Sequence, residues 1–560
     1  MFIPATVKEV EKRGWDSLDV IIVSGDGYID SYFNGAAIIG HWLIENGFKV
    51  GMISQPSMDS KDDIMRFGDP NLFWSVTAGS MDSMVANYTP DLRRRKHDDI
   101  TPGGLNNKRP DRACIAYTNL IKRSSKGIVV LGGIEASLRR VVHYDYWSNS
   151  LRRSILFDSK ADAITYGMGE LANQGLAERI KKGEDWRDLD GICHISKEAM
   201  EGFDLLPSFE ECNGGKGVFK GMFEGFLRCS KLGRGMSQGH GNRFLIQNPS
   251  SRDLTSQELD QVHSLDYMNS AHPSCLKEGK IKAMETIKSS ITTHRGCYGE
   301  CSFCAIALHQ GKGIVSRSRE SILEEVDEIT SRDGFNGMIY DVGGPTANMY
   351  GTRCGMNNIC ERKCLYPSPC KNLVLDHGPQ ICLLKDIRHR GNVKKAFVSS
   401  GIRYDMVVND QKNGKEYLDE IVGNHVSGQM KIAPEHTSEN VLRHMGKPGS
   451  DTLLRFKGMF EESNVRQGKR QFLTYYLMAA HPGCGIVEMN DLNRFVHREL
   501  RTNPEQIQIF TPTPSTVSTM MYYTGLNMNG DEVFVERDMR KKVIQKNVIL
   551  NGGRTDGRGP

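Results

Sequence analysis

Three cysteines lie close together in the segment CYGECSFC, at Cys297, Cys301 and Cys304. Three thiolates on one short loop can each bind one iron of a cubane iron–sulfur cluster, which leaves the fourth iron without a cysteine. A metal centre with an open coordination position is typical of substrate or cofactor binding. The alternatives are a zinc site whose fourth ligand comes from elsewhere in the chain, or buried thiols without metal.

The compartment decides how the other cysteines are interpreted. The first 20 residues carry scattered charges and no continuous apolar stretch, so they do not form a signal peptide. The most apolar segment, around 127–134, is too short to span a bilayer. We therefore expect a cytoplasmic protein without a membrane partner, whose 14 cysteines do not form a disulfide framework and whose clustered cysteines are first interpreted as metal ligands. A net charge of +4 gives no electrostatic argument for nucleic acid as the main partner.

A second group of four cysteines follows the first, at Cys354, Cys360, Cys364 and Cys370. The loop that carries them is rich in Asn, Lys, Arg and Pro and has few apolar residues of its own. Four thiolates could close a zinc site or an auxiliary iron–sulfur cluster that stabilises such a loop. The alternative is that these are reduced loop cysteines without metal.

Strands and helices alternate along most of the chain. In the first 200 residues we predict strands at 17–25, 48–54, 127–131 and 162–166, and a helix at 35–46. This alternation indicates an α/β fold with a doubly wound parallel sheet, although the segment 25–27 (GDG) is not a dinucleotide-binding fingerprint.

The alternation resumes after residue 286 at regular spacing. A helix is predicted at 319–331 with Ser318 as its N-cap, and strands are predicted at 337–341, 395–399, 429–432, 472–478 and 506–510. These are about six β/α units, which suit a partial or complete parallel barrel with its chemistry at the carboxyl ends of the strands. The predicted domains are 1–204, a connector at 205–285, the barrel at 286–515, and a C-terminal segment at 516–560 whose end, 551–560, is disordered.

Long segments outside the cysteines carry a resemblance to a known family. TPGGLNNKRPDR (101–112), GGIEASLRRVVHYDYW (132–147) and FTPTPSTVSTMMYYTGLN (510–527) resemble the YgiQ-like radical SAM proteins of bacteria, whose substrate is not established. The resemblance implies a Rossmann-like N-terminal domain followed by a radical SAM β/α barrel of the partial TIM type. It also implies a [4Fe–4S] cluster on Cys297, Cys301 and Cys304 whose open iron binds S-adenosylmethionine (SAM). One-electron reduction, by a donor such as flavodoxin or ferredoxin, would then yield a 5′-deoxyadenosyl radical.

The same resemblance implies residues that bind the SAM molecule. Phe303 would lie near the adenine, the backbone of Gly343 and Gly344 would bind the amino group of the methionine moiety, and Ser400 and Arg403 would contact the ribose and the carboxylate. Pro345 stands where the family usually has an acidic residue. The alternatives are that the two glycines only form a turn and that Arg403 pairs with a carboxylate.

Radical SAM enzymes with a Rossmann-like first domain include cobalamin-dependent members. The D-x-H-x-x-G signature of cobalamin binding is not evident here, and His143 is better interpreted as a structural, hydrogen-bonded histidine. The sequence therefore argues against cobalamin as a cofactor.

Two alternative functions stay open. One is a non-catalytic metal or iron–sulfur protein that never consumes SAM. The other is an RNA-modifying radical SAM enzyme, for which the basic stretch at 93–96 would be a candidate contact. Acidic residues at Asp91, Asp98 and Asp99 flank that stretch, which favours a solvated or salt-bridged loop.

Overall fold

The computed structural model describes residues 1–356, 359–504 and 507–550. The chain divides into two units, one built from Met1–Leu254, Glu258–Lys288 and Thr513–Ser515, the other from Thr255–Gln257, Ser289–Pro512 and the residues from Thr516 onward. The tail at 551–560, for which the sequence predicts disorder, lies outside the described residues. The four-part division of the chain stays a prediction.

The strands of the first unit come from the first half of the chain. They are β1 (Val20–Ser24), β2 (Ile29–Asp30), β3 (Val50–Ser54), β4 (Phe73–Thr77), β5 (Ile128–Gly132), β6 (His143–Asp145), β7 (Ser150–Arg152), β8 (Ala163–Thr165), β9 (Ile192–Ser196), β10 (Asp204–Leu206), β11 (Met236–His240), β12 (Arg243–Gln247) and β13 (Ser270–Ala271). The predicted strands at 17–25, 48–54, 127–131 and 162–166 are confirmed as β1, β3, β5 and β8.

Nine of these strands form one sheet in the order β10-β11-β12-β9-β8-β5-β4-β1-β3. Strands β3, β1, β4, β5 and β8 run parallel, whereas β9, β12 and β11 are joined by antiparallel pairing. The parallel part has the 2-1-3-4-5 order of flavodoxin-like folds rather than the 3-2-1-4-5-6 order of dinucleotide-binding Rossmann domains. Residues 205–285, predicted as a connector, contribute most of β10 and all of β11 and β12 to this sheet.

Helices alternate with these strands. They are α1 (Val7–Lys12), α2 (Gly35–Glu45), α3 (Ser83–Asn87), α4 (Ala113–Lys122), α5 (Gly133–Leu138), α6 (Ile155–Ser159), α7 (Glu170–Lys182), α8 (Phe209–Gly214), α9 (Lys216–Leu232), α10 (Ser256–His263), α11 (Pro273–Leu276) and α12 (Met284–Ile287). All five residues of β1 are buried, as is typical of a parallel strand covered on both faces. Helix α2 begins where the Asn34 side chain accepts a hydrogen bond from the Ala36 N–H at 3.1 Å, so the predicted helix at 35–46 is confirmed.

A buried ion pair lies at the carboxyl end of β1. Arg109 contacts Asp26 at 2.7 Å and Asp98 at 3.0 Å, and all three side chains are almost fully buried. A Cβ on Gly25 would lie 2.3 Å from the Ala78 carbonyl oxygen, so only glycine allows this approach of β1 to the residues after β4. The GDG segment at 25–27 therefore supports a structural ion pair.

The second unit contains the remaining strands of the described chain. They are β14 (Ser290–Thr292), β15 (His294–Arg295), β16 (Val315–Ser316), β17 (Met338–Ile339), β18 (Asp341–Gly343), β19 (Arg353–Cys354), β20 (Leu373–Val374), β21 (Lys395–Ala396), β22 (Gln429–Glu435), β23 (Phe472–Ala479) and β24 (Ile507–Ile509). The predicted strands after residue 337 are confirmed as β17 with the start of β18, β21, β22, β23 and β24, except that Gln506 lies outside the described residues.

The main strands of this unit pair in parallel and in chain order. Strand β14 pairs with β18, β17 pairs with β21, and β22, β23 and β24 form one small sheet. A parallel bridge between Ile402 and Ile432 connects the segment after β21 to β22. This pairing places the segments that follow β14, β18, β21 and β22 at one end of the strands.

Helices of the second unit lie between these strands. They are α13 (Ile306–Gln310), α14 (Arg319–Ser331), α15 (Gly378–Arg388), α16 (Tyr404–Asn409), α17 (Gly414–Glu420), α18 (Glu439–Met445), α19 (Ser450–Arg466), α20 (Ile486–Phe495), α21 (Val517–Thr524) and α22 (Met539–Leu550). The predicted helix at 319–331 is confirmed, and the Ser318 hydroxyl accepts a hydrogen bond from the Ser321 N–H at 3.1 Å. Within the described ranges, no helix is long and apolar enough to cross a membrane.

A buried histidine–aspartate pair joins the start of α15 to the end of α16. The His377 ring contacts an Asp410 carboxylate oxygen through Nδ1 at 2.7 Å, and the His377 backbone N–H donates to the same oxygen at 2.9 Å. Burial by itself would raise the pKa of Asp410. Hydrogen bonds from the His377 ring and from the backbone of Asn413 and His377 outweigh burial and lower the pKa to about 2.

The lowered pKa of Asp410 predicts an acid-sensitive contribution to stability. Because the pKa is lower in the folded state, this contribution is present above about pH 4 and is lost as the pH falls from about 4 to about 2. We expect Asp410→Asn to lower the free energy of unfolding by about 2 kcal/mol at pH 6, as measured by thermal unfolding. The difference in this free energy between the wild type and the variant should become smaller toward pH 3. Asp451→Asn, at an exposed position of α19, is the control for the substitution itself. The prediction would be contradicted if the free energies of unfolding of the wild type and Asp410→Asn differed by the same amount at every pH.

Candidate metal and cofactor site

The cysteine triplet lies on the loop between β15 and α13. Cys297 is buried, and Cys301 and Cys304 are half-buried. The loop begins at Gly296, which has a φ of +86° and where a Cβ would lie 1.8 Å from the Gly313 carbonyl oxygen, so only glycine fits. The Cys304 N–H donates to the Cys301 carbonyl oxygen at 2.9 Å and closes a turn. The turn holds the three thiols on one short segment.

Hydrogen-bond donors surround the sulfur atoms. The Thr346 hydroxyl lies 3.3 Å from Cys297 Sγ, and the Gly299 N–H donates to the same sulfur at 3.4 Å. A guanidinium nitrogen of Arg403 donates to Cys301 Sγ at 3.3 Å. Such donors stabilise negative charge on sulfur, which suits thiolates that bind iron.

The three thiols are a donor set that a cubane iron–sulfur cluster can use. Within the described ranges, no three His, Cys, Asp or Glu side chains are grouped so as to hold one metal ion. A cubane cluster does not need that arrangement, because each thiolate binds a different iron.

Arg403 is held in place from two sides. Its guanidinium contacts both carboxylate oxygens of Asp405, at 2.7 and 3.1 Å, and its backbone N–H donates to the Asn348 side-chain oxygen at 2.7 Å. A Cβ on Gly299 would lie 2.7 Å from the guanidinium nitrogen that faces Cys301, so a side chain there would displace it. Asn348 also donates to the His377 ring at 3.1 Å, which links the His377–Asp410 pair to Arg403.

The glycine-rich segment after β18 and the serines after β21 lie together. A Cβ on Gly343 would be 3.4 Å from the Ser400 Cβ. The Ser400 backbone N–H donates to Asp341 at 3.1 Å, and its hydroxyl donates to the same carboxylate. At Gly344 a Cβ would come within 2.6 Å of the His294 ring, which burial leaves with a pKa lowered to about 4. The structure therefore brings Gly343 and Ser400 together. At Gly344 the His294 ring packs so close to the backbone that a larger side chain would clash with it.

Phe303 has a mixed environment. Its ring lies edge-on to the buried His481 ring, with centroids 6.2 Å apart. The Lys447 ammonium lies 5.8 Å from the same ring and donates to the Ala433 carbonyl oxygen at 2.7 Å. Phe303 is half-buried, so part of the ring is accessible beside Cys304.

The second cysteine group lies beside the first. Cys354, Cys364 and Cys370 pack in the same apolar cluster as Cys297 and Tyr298.

Several residues of the site were missed by reasoning from the sequence. They are Thr346, Asn348, His377, Asp405 and Lys447. Asp405 had a usable signal, since an acidic residue two positions after an arginine can form a local pair. The others had none, because only the fold brings them to the cysteine loop or to Arg403.

Comparisons with known proteins identify the family. A family model described as Radical SAM N-terminal matches residues 2–290. A UPF0313 protein of Fusobacterium nucleatum is 51% identical over 558 residues, which are 98% of each chain. UPF0313 proteins of Thermotoga maritima and Methanocaldococcus jannaschii are 44% and 42% identical, with 98% of this chain covered in both cases and 98% and 92% of those proteins. The chain belongs to the UPF0313 family. The resemblance to the YgiQ-like proteins is thereby confirmed, and this UPF0313 member is a radical SAM enzyme.

Solved structures share the fold of this UPF0313 chain. One is the radical SAM methyltransferase TsrM of Kitasatospora setae with cobalamin and a [4Fe–4S] cluster bound, at a TM-score of 0.51 and 13% identity, covering 90% of this chain and 74% of TsrM. Another is the cobalamin-dependent SAM radical enzyme OxsB with aqua-cobalamin bound, at a TM-score of 0.51 and 12% identity, covering 91% of this chain and 56% of OxsB. At this identity, the likeness shows the shared fold alone.

The argument against cobalamin is corrected by these structures. Both proteins hold cobalamin on a fold that the UPF0313 chain shares, so the prediction that cobalamin is an unlikely cofactor is wrong. The inference failed because it relied on a short local signature, whereas a fold can hold a cofactor through contacts that such a signature does not include. His143 itself is buried, with Nδ1 3.0 Å from the Val141 carbonyl oxygen and Nε2 3.4 Å from Arg139.

Proposed function

We propose that this UPF0313 protein cleaves SAM reductively at a [4Fe–4S] cluster bound by Cys297, Cys301 and Cys304, and that the 5′-deoxyadenosyl radical then acts on a further substrate. The observation that carries the proposal is the tight loop with three thiols, of which Cys297 is hydrogen-bonded with Thr346 and Cys301 accepts a hydrogen bond from Arg403. A bound cluster would supply one electron and an open iron position for SAM. A flavodoxin or ferredoxin is the class of reductant that we propose.

The protein's own residues would orient the cofactors. Phe303 would contact the adenine beside Cys304, and the backbone at Gly343 and Gly344 would receive the methionine amino group. Ser400 is held against Asp341 at the same end of the strands, which supports a contact with the ribose. We propose that these segments, which follow β18 and β21 in a partial β/α barrel, form the SAM-binding surface.

For Arg403 the geometry favours a role in positioning the cluster. Its guanidinium is engaged by Asp405 and Cys301, whereas the sequence resemblance implied a contact with the SAM carboxylate. A positive N–H donor on a thiolate ligand stabilises the more negative, reduced state of a cluster and so raises its reduction potential.

The experiment that tests the function is anaerobic reconstitution of the full-length chain with iron and sulfide, followed by dithionite and SAM. We expect 5′-deoxyadenosine to form and the EPR spectrum of the reduced cluster to change when SAM is added. The same reactions are run with hydroxocobalamin, and corrin absorbance that stays with the chain on gel filtration would show binding. A reduced cluster that neither responds to SAM nor yields 5′-deoxyadenosine would reject the proposal in favour of a non-catalytic iron–sulfur protein.

The role of Arg403 gives a separate prediction. The double variant Arg403→Met/Asp405→Asn removes both charges, so that no buried carboxylate is left unpaired. We expect it to retain its iron and to show a more negative reduction potential for the SAM-responsive EPR signal in a redox titration. The control is Arg466→Met/Asp419→Asn, an arginine–aspartate pair of the same unit whose two side chains are about a quarter exposed. Equal potentials in the two double variants would contradict a positioning role for Arg403.

A further inference from the structure

The described part of the segment from Gly351 to His377 has little regular structure. Its described residues form only the two-residue strands β19 and β20, in which Cys354 lies opposite Leu373. Met356 and Ile359 are 55% and 67% exposed, so they do not contribute to a core. Leu365 and Leu373 are the buried aliphatic side chains of the described part of this segment. The stabilisation from burying so few apolar side chains is small compared with the conformational entropy that is lost when about 25 residues become ordered.

Four thiols lie within this segment and close to one another. Cys354, Cys364 and Cys370 pack in one apolar cluster, and the Cys370 N–H donates to the Cys364 carbonyl oxygen at 2.8 Å. The Cys360 and Cys354 thiols lie near enough to Cys364 to interact with it electrostatically. All four are free cysteines.

Lys312, which lies outside the segment, contacts one of the four cysteines. The Lys312 ammonium lies 3.3 Å from Cys360 Sγ and donates to the Cys360 carbonyl oxygen at 2.6 Å. Between 353 and 371 the sequence has four basic residues and one acidic residue. Positive charge around grouped thiols favours their thiolate form and compensates the negative charge of a metal–thiolate centre.

We propose that Cys354, Cys360, Cys364 and Cys370 bind a second [4Fe–4S] cluster, in which each of the four irons has a cysteine ligand. A single zinc ion would need all four sulfurs within about 2.3 Å of it, and zinc ligands usually come in pairs two to four residues apart. The described residues contain no group of three His, Cys, Asp or Glu side chains that could hold one metal ion. Of these four cysteines, only Cys360 and Cys364 have the spacing of a zinc-ligand pair. In a [4Fe–4S] cluster each of the four thiolates binds a separate iron, so the sulfurs need not converge on one ion and the cysteines need not be closely paired in the sequence.

The second cluster would differ in function from the first, because each of its irons would have a cysteine ligand. With four cysteine ligands no iron is open, so the second cluster does not bind SAM. Metal binding would instead supply the free energy that orders the segment, because a loop with few buried apolar residues gains its stability from its metal–ligand bonds. This site does not depend on the proposed SAM chemistry.

The test compares iron content in three variants of the full-length chain after anaerobic reconstitution. One variant carries serine at Cys354, Cys360, Cys364 and Cys370, the second carries serine at Cys297, Cys301 and Cys304, and the control is Cys382→Ser, at an exposed cysteine of α15. We expect about eight irons per chain in the wild type and the control, and about four in each of the other two variants. The triplet variant should keep an EPR signal that does not respond to added SAM.

The triplet variant makes the test independent of whether the quadruple variant folds. Residual iron in the triplet variant, with a SAM-insensitive signal, can come only from a second cluster. A triplet variant without iron would overturn the proposal, and so would a quadruple variant with the full iron content of the wild type. Zinc in place of iron in the triplet variant would also overturn it. Failure of the proposed function is distinct, since it would appear as missing 5′-deoxyadenosine in a wild type that still holds both clusters.

Discussion

Replacing Cys301 by serine is expected to abolish the formation of 5′-deoxyadenosine from SAM. Cys301 lies in the middle of the triplet, and its sulfur is the one that accepts a hydrogen bond from Arg403. Without this thiolate a cubane cluster keeps only two protein ligands, and the buried guanidinium loses its sulfur acceptor. We expect loss of the SAM-responsive EPR signal and 5′-deoxyadenosine at the level of a reaction without protein, measured by liquid chromatography and mass spectrometry.

The matched control for this prediction is Cys382→Ser. Cys382 is an exposed cysteine in α15, so its replacement leaves the triplet and its hydrogen bonds unchanged. The control should form 5′-deoxyadenosine at the wild-type rate. If Cys301→Ser retains more than about a tenth of that rate, or if the control loses activity equally, the assignment of the triplet as the site of cleavage is wrong.

Replacing Arg139 by methionine is expected to give the largest loss of stability in the first unit. The Arg139 guanidinium contacts Asp82 at 2.8 Å and Asp145 at 3.0 Å, and all three side chains are nearly fully buried. Removing the arginine leaves Asp82 and Asp145 in the interior with one cation fewer, although Arg112 still contacts Asp145 at 3.1 Å, and breaking a buried pair typically costs about 3–5 kcal/mol. For a unit of this size the unfolding temperature should fall by about 10 °C, measured by calorimetry.

Arg187→Met provides the comparison for Arg139→Met. Arg187 pairs with Asp185 at 3.0 Å, but both side chains are more than half exposed. Exposed pairs of this kind contribute about 0–1 kcal/mol, because water solvates both charges after the partner is removed. Similar unfolding temperatures for the two variants would show that the buried charges of Asp82 and Asp145 are compensated in another way.

Local sequence patterns predicted individual elements well. The helix at 319–331 has the predicted bounds and cap, because a serine N-cap and an apolar stripe are interactions between residues three and four positions apart. Most of the predicted strands are also present, because continuous β-branched runs favour buried parallel strands. Local patterns failed where pairing between distant segments decides the structure. Strands β11 and β12 lie in a segment predicted as a connector; they form a hairpin with each other, and β12 joins the large sheet through antiparallel pairing with the earlier strand β9.

Sequence alone identifies the residues that can carry the chemistry, namely the triplet Cys297, Cys301 and Cys304. Ligand spacing on a short loop is a local property, since a few bonds limit how far the thiols can separate. The tertiary structure alone decided what surrounds the sulfurs. Asn348 and Asp405 orient Arg403 toward Cys301; Asp405 is a local neighbour, but the contacts of Arg403 with Asn348 and Cys301 join segments that are far apart in the chain. Such contacts depend on the register and order of the parallel strands, and these follow from packing of the whole unit rather than from any short segment.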